Sequence, residues 1–197
     1  MEKICTTTFV IIGNQSDIKF LHGNLQKLVY SKTTRLIQVA KKLCPQWITY
    51  NTDGHFFALT LDNPRQITFK VQTSQQPEPR LWFEICRKYQ TTKCYYYAQM
   101  PHSRHYKTND VSGKYFPGRY MVVDANGKTK TVQSHRDLFD AVASIVPIQN
   151  IFSSLEQFGQ AFSPHRQQVG IYDIIVVDER GKCLTPTKNM ISKYIIY

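Results

Sequence analysis

The stretch that decides the fold is residues 55–73, HFFALTLDNPRQITFKVQT. Its second half alternates: Ile67, Phe69 and Val71 fall on one side and Gln66, Thr68, Lys70 and Gln72 on the other. That period of two belongs to a strand buried on one face only. The first half, His55 to Leu61, is the partner strand. Between them, Asp62-Asn63-Pro64-Arg65 supplies turn chemistry, because proline presets φ and the short Asp and Asn side chains bond the local backbone. The whole reads as a β-hairpin.

Working outward, Ile4 to Ile12 is rich in Thr, Val, Ile and Phe and stops at Gly13-Asn14, which predicts a strand. From Ser16, read as the N-cap, Ile18, Leu21, Leu25 and Leu28 recur at spacings of three and four and predict a helix. A second helical segment, Thr34 to Leu43, carries Leu36, Ile37, Ala40 and Leu43, has Arg35, Lys41 and Lys42 on its polar side, and is closed by Pro45. After the hairpin, Pro79 opens a helix whose Leu81, Trp82, Ile85, Cys86 and Tyr89 share a face. Lys93 to Gln99 then returns as a strand. The order β-α-β-β-α-β is that of ferredoxin-like domains.

The later residues continue in the same α+β style. Arg119 to Asp124 and Lys128 to Gln133 enclose Ala125-Asn126-Gly127, a hairpin signal. Ser134 caps a helix with Leu138, Phe139, Val142, Ile145 and Val146 on one face and Pro147 at its end; a further helix spans Ser153 to Phe162. Ile171 to Asp178 and Met190 to Tyr197 are the last strands. The expected architecture is a ferredoxin-like antiparallel sheet extended by the later β-hairpin, helices and further strands. Residues 1–133 form the sheet domain with its hairpin, and 134–197 form a helix-strand extension on the same core. Val122-Val123-Asp124-x-x-Gly127-Lys128 recurs as Val176-Val177-Asp178-x-x-Gly181-Lys182. Both copies read as turns, since neither opens a helix as a phosphate loop must.

Composition agrees with a folded chain. The 197 residues are 42% hydrophobic and 13% aromatic, with nine Gly and nine Pro, which excludes disordered, collagen-like and fibrous classes. The five cysteines are odd in number, widely spaced and form no C-x-x-C, so reduced, mostly buried thiols are expected rather than a disulfide framework or a zinc site. The first apolar run, Phe9 to Ile12, is too short for a signal peptide or a spanning helix, and Asp17 and Lys19 follow it; a cytoplasmic protein without membrane association is expected. In that setting the triplet Asn14-Gln15-Ser16 carries no glycosylation chemistry. The formal net charge is +11, divided as +7 up to residue 100 and +4 after it. Spread positive charge favours a polyanionic partner through steering and counterion release, and it equally serves as a solubilising surface.

Four stretches carry a resemblance: Ile4-Cys-Thr-Thr-Thr-Phe-Val-Ile-Ile-Gly13, Leu81-Trp-Phe-Glu-Ile-Cys-Arg-Lys-Tyr89, and above all Tyr95-Tyr-Tyr-Ala-Gln-Met-Pro101 with Lys114-Tyr-Phe-Pro-Gly-Arg-Tyr120. Over roughly residues 1–133 they resemble the YubB-type ferredoxin-like proteins. The resemblance implies a cytoplasmic accessory protein of bacterial plasmids, phages and other mobile elements, with no defined reaction. Those proteins tend to carry an acidic residue and glycines after the aromatic strand, where this chain has Gln99-Met100-Pro101-His102, so no role for that carboxylate carries over.

The densest chemistry lies between Lys93 and Tyr120, with six of the twelve tyrosines, Phe116, five Lys/Arg and one acid, Asp110. Bases stack on aromatic faces at about 1–3 kcal/mol each while cations hold phosphates, which is what single-strand binding requires. Strand alternation sends Tyr95 and Tyr97 to the side opposite Tyr96. The expected nucleic-acid contacts are Tyr95, Tyr97, Arg104, Tyr106, Lys107 and Arg119. Ordinary packing of strand tyrosines competes with that reading, and Gln66 to Thr73 offers no aromatic RNP1 pattern.

His102 and His105, in a loop with Arg104 and Lys107, form a weaker candidate acid–base pair for RNA cleavage. A metal there would lack a third ligand and would meet nearby cations, so no metal and no cofactor are expected. Asp137 and Asp140 open a helix and suit its dipole rather than forming a catalytic pair. No phosphate loop, G-x-S-x-G, H-E-x-x-H or dinucleotide fingerprint occurs. The expected function is therefore binding without catalysis, with single-stranded nucleic acid as partner. The alternatives are a protein-interaction or dimerisation module, in which Ile191 to Tyr197 pairs with a second copy as an edge strand, and a ribonuclease using His102 and His105.

Overall fold

The computed structural model describes residues 4–47, 53–74, 76–100, 105–149, 151–178, 180 and 182–184. The protein is α+β, and the chain divides into two units, Met1–Ser103 and Arg104–Tyr197. This division lies upstream of the boundary expected after residue 133.

In the first unit, β1 (Ile4–Ile12), α1 (Gln15–Tyr30) and α2 (Leu36–Leu43) precede the hairpin β2 (His55–Asn63) and β3 (Gln66–Ser74); α3 (Pro79–Arg87) and β4 (Lys93–Met100) follow. The strand order is β2-β3-β1-β4, and every neighbouring pair is antiparallel. The period-two pattern explains the register. Phe9 faces Phe69 on one side and Tyr96 on the other, and these three rings meet α3 through Trp82, 4.3 Å from Phe69, and Phe83, 6.1 Å from Tyr96. With Ile11, Phe56, Ile67 and Val71 they are buried. The apolar stripes of α1 (Ile18, Leu21, Leu25, Leu28) and α2 (Leu36, Val39, Ala40, Leu43) are buried as well.

Two local details differ from the sequence reading or refine it. The N-cap of α1 is Asn14, whose Oδ1 accepts from the Asp17 N–H at 2.8 Å, while Ser16 donates to the same oxygen at 2.9 Å. Ser16 lies inside the first turn, and Asn14 has the extended backbone that a cap requires. Gly54 begins the approach to β2 at φ +109°, and a Cβ there would lie 2.3 Å from the Gln72 carbonyl oxygen, so only glycine fits.

The second unit contains β5 (His105–Thr108), β6 (Tyr120–Asp124), β7 (Thr129–Val132), α4 (His135–Ala143), α5 (Leu155–Phe162) and β8 (Val169–Val176). Its strands run in the order β5-β8-β6-β7, with β5 parallel to β8 and the other pairs antiparallel. Val122, Val132, Val169 and Ile171 bury one face against Leu138, Phe139 and Val142 of α4 and Phe158 and Phe162 of α5. Ser134 caps α4 in a capping box with Asp137, which is the role of that carboxylate. The repeated Val-Val-Asp-x-x-Gly-Lys segments share one turn: Asp124 accepts from the N–H groups of Asn126 and Lys128, and Asp178 from those of Arg180 and Lys182. The expected strand Met190 to Tyr197 lies outside the described residues. No described helix is long and apolar enough to cross a membrane.

Candidate nucleic-acid interface

Alternation divides β4 cleanly. Cys94, Tyr96, Ala98 and Met100 are buried, whereas Tyr95, Tyr97 and Gln99 are half-buried and Lys93 is exposed. Tyr96 turns toward the aromatic core, where burial first and the neighbouring Cys94 second push its phenol up to about 12. Tyr95 and Tyr97 therefore point to the side of the sheet away from Trp82 and Phe83. The register assembles what surrounds them. Phe57, Lys70, Thr8 and Tyr97 lie opposite one another across β2, β3, β1 and β4. The neighbouring row is Thr60, Thr68, Val10 and Tyr95, and Ile12 and Lys93 pair beyond it. Phe57 is 37% exposed, and its ring lies 5.8 Å from that of His55. Val10 and the Tyr97 hydroxyl oxygen are buried, so Tyr97 has its ring rather than its hydroxyl for a ligand.

The cations on this face are uncommitted. Among the described residues, neither the Lys70 nor the Lys93 side chain has a hydrogen-bond or ion-pair partner, and both residues are exposed. One acid stands at the border: Asp62 accepts from the side chains of Thr60, Gln66 and Thr68. Burial pushes its carboxyl up, and these three bonds together outweigh burial and hold it below the ordinary range. Ala58, at φ +50°, coincides with a register shift between Phe57 and Thr60. Such a bulge turns the edge strand locally and discourages edge-to-edge pairing.

The remaining expected contacts separate into different environments. Tyr106 is 4% exposed, and its ring packs against Tyr172 at 5.8 Å; a ring enclosed in this way offers no face to a base. Arg119 donates to the carbonyl oxygens of Phe116 and Gly118, both at 3.0 Å, and of Asp110 and Val111, both at 3.2 Å. Its guanidinium is thus consumed in closing its own loop, which removes it as a phosphate ligand. Lys107 is half-buried on β5. Arg104 and His102 lie outside the described residues, as does the side chain of His105, so the proposed acid–base pair lies outside them too. Among the described residues no cluster of His, Cys, Asp and Glu could hold a metal ion.

Sequence reasoning missed Asp110, the counterpart of Arg119. It is fully buried, and its carboxylate accepts from the N–H groups of Gly113 (3.1 Å), Tyr115 (2.6 Å) and Phe116 (2.8 Å) and from the Ser112 hydroxyl (2.8 Å). Burial opposes the charge most strongly, yet the hydrogen bonds together hold the carboxyl below its usual range. The signal available was its isolation as the one acid between Lys93 and Tyr120, followed by Ser112 and Gly113.

Comparison with known proteins adds no assignment: no protein-family pattern, curated protein or solved structure matches the chain.

Proposed function

We propose that the protein binds single-stranded nucleic acid without catalysis, on the Tyr95 and Tyr97 side of the first-unit sheet. Tyr95 and Tyr97 stack bases, Phe57 offers a third ring, and Lys70 and Lys93 pair with phosphates. The observation that carries this reading is the Phe57–Lys70–Thr8–Tyr97 row, in which rings and an uncommitted cation share one side of the sheet. The +7 charge of the first hundred residues supplies attraction at long range. The first unit's element order and strand order, β2-β3-β1-β4, support reading it as ferredoxin-like. On that reading the unit belongs with the YubB-type proteins that its sequence resembles.

The test is equilibrium binding of a labelled oligonucleotide by the full chain. Affinity is expected to fall linearly with the logarithm of salt concentration. Tyr97→Ala is expected to weaken binding by about 1–3 kcal/mol. Absence of binding at about 50 mM salt, where phosphate contacts are strongest, would remove the proposal. A concentration-dependent mass without oligonucleotide binding would favour a dimerisation module instead.

A further inference from the structure

The outer face of α1 carries two exposed rings with a gap between them. Ile18, Leu21, Leu25 and Leu28 turn into the core, so the helical period sets Phe20, Gly23, Lys27 and Tyr30 on the side away from it. Phe20 is 53% exposed and Tyr30 76%. Each ring has a neighbour that positions it: the Phe20 ring lies 5.7 Å from that of Tyr89, and the Tyr30 hydroxyl accepts from Gln26 Nε2 at 3.1 Å. Gly23 stands between them. A glycine inside a helix weakens it relative to any ordinary residue, and here the fold gives no reason for one. Apart from its chain neighbours and its own helix backbone, no described atom lies within 4 Å of where a Cβ would stand. The space over Gly23 is open to something outside the chain.

We infer that α1 pairs antiparallel with α1 of a second copy of this chain, each Phe20 entering the gap at the other copy's Gly23. A two-fold axis makes contacts reciprocal, so the register that sets Phe20 against the second copy's Gly23 also sets Gly23 against its Phe20. That register brings Lys27 beside the second copy's Ser16 and Asp17, again twice. Both charges are available: among the described residues the Lys27 ammonium has no partner, and Asp17 commits only Oδ2, to the Thr91 hydroxyl at 2.6 Å. Ring, gap and opposite charges thus complement one another within a single helix, which is what selects a second copy as the occupant. The helix has 16 residues, a length of about 24 Å. One face of it covers less than the about 800 Å² per partner of a standard interface, so the dimer belongs to the weak, transient class.

The test is sedimentation equilibrium of the full chain from about 1 µM to 1 mM, without nucleic acid, so its outcome is independent of the binding function proposed above. The mean mass is expected to rise with concentration toward twice that of the chain. Phe20→Ala is expected to weaken association about tenfold or more. Gly23→Gln fills the gap and is expected to abolish association while raising the thermal midpoint of the dilute protein, because glutamine is the better helix former. Lys27→Glu is expected to weaken association by setting like charges together. A contact elsewhere on this basic chain would respond in the opposite direction, since the exchange lowers the net charge of +11 and with it the repulsion between copies. A single-chain mass at every concentration would overturn the proposal, as would a dimer that forms equally well in Gly23→Gln and Phe20→Ala.

Discussion

Asp110 shows how a single buried charge can organise a segment that looks like a binding loop. Its carboxylate gathers three backbone N–H groups and a hydroxyl, and Arg119 gathers four carbonyl oxygens from the same loop. The two side chains act from opposite ends of residues 110–119 on backbone groups that would otherwise need water. Asp110→Asn keeps one acceptor oxygen and loses the charge, so it is expected to destabilise the protein by about 2–3 kcal/mol near neutral pH, read by denaturant unfolding. The sign of the pH effect follows from the lowered folded-state pKa. Its stabilisation is present above the unfolded value of about 3.9 and is lost as pH falls through the folded value. The variant should therefore lose less stability than the parent on acidification below about pH 4. Arg119→Ala, by the same geometry, is expected to lower stability by about 1–3 kcal/mol while leaving oligonucleotide affinity within about twofold, since its guanidinium donors are already engaged by loop carbonyl oxygens. A large loss of affinity with unchanged stability would return Arg119 to the interface.

The elements divide by how local their causes are. The hairpin of β2 and β3 was legible because period-two burial is written in consecutive residues: Ile67, Phe69 and Val71 are buried while Lys70 is exposed. Alternation on β4 likewise separated Tyr95 and Tyr97 from Tyr96, but which of the two sides meets the aromatic core was not legible, because that depends on α3 packing against it. The cap of α1 was misplaced by two residues, because Asn14 and Ser16 are both good caps and only backbone conformation separates them. Tyr106 could not be read correctly from its neighbours, since what encloses it includes Tyr172 on β8, far along the chain, and a parallel pairing has no short-range sequence signal. Arg119 escaped for a related reason: its partners are carbonyl groups, which every sequence has. At this scale the packing between sheet and helix rests on Phe69, whose ring lies 5.4 Å from Phe9 and 4.3 Å from Trp82. Phe69→Ala is expected to cost about 3–5 kcal/mol, seen as a lower denaturant midpoint. A loss below about 1 kcal/mol, the range of surface changes, would mean that this cluster does not hold the layer together.

Over the whole molecule, the +11 charge attracts any polyanion, so binding alone does not locate an interface. Lys41 and Lys42 on α2 are exposed cations on a helix rather than on the sheet, and a diffuse electrostatic association would use them as readily as Lys70 and Lys93. Stacking on tyrosine separates the two cases, because it needs ring faces and survives salt better than phosphate pairing does. The most direct measurement is the affinity of the full chain for one labelled single-stranded oligonucleotide, taken across a salt series for the parent, Tyr97→Ala and Lys41→Ala/Lys42→Ala. The sheet-face account predicts a loss of about tenfold for Tyr97→Ala that persists at high salt, and near-parental affinity for the lysine double variant. Equal binding by the parent and Tyr97→Ala, with the loss falling on the lysine double variant, would contradict it.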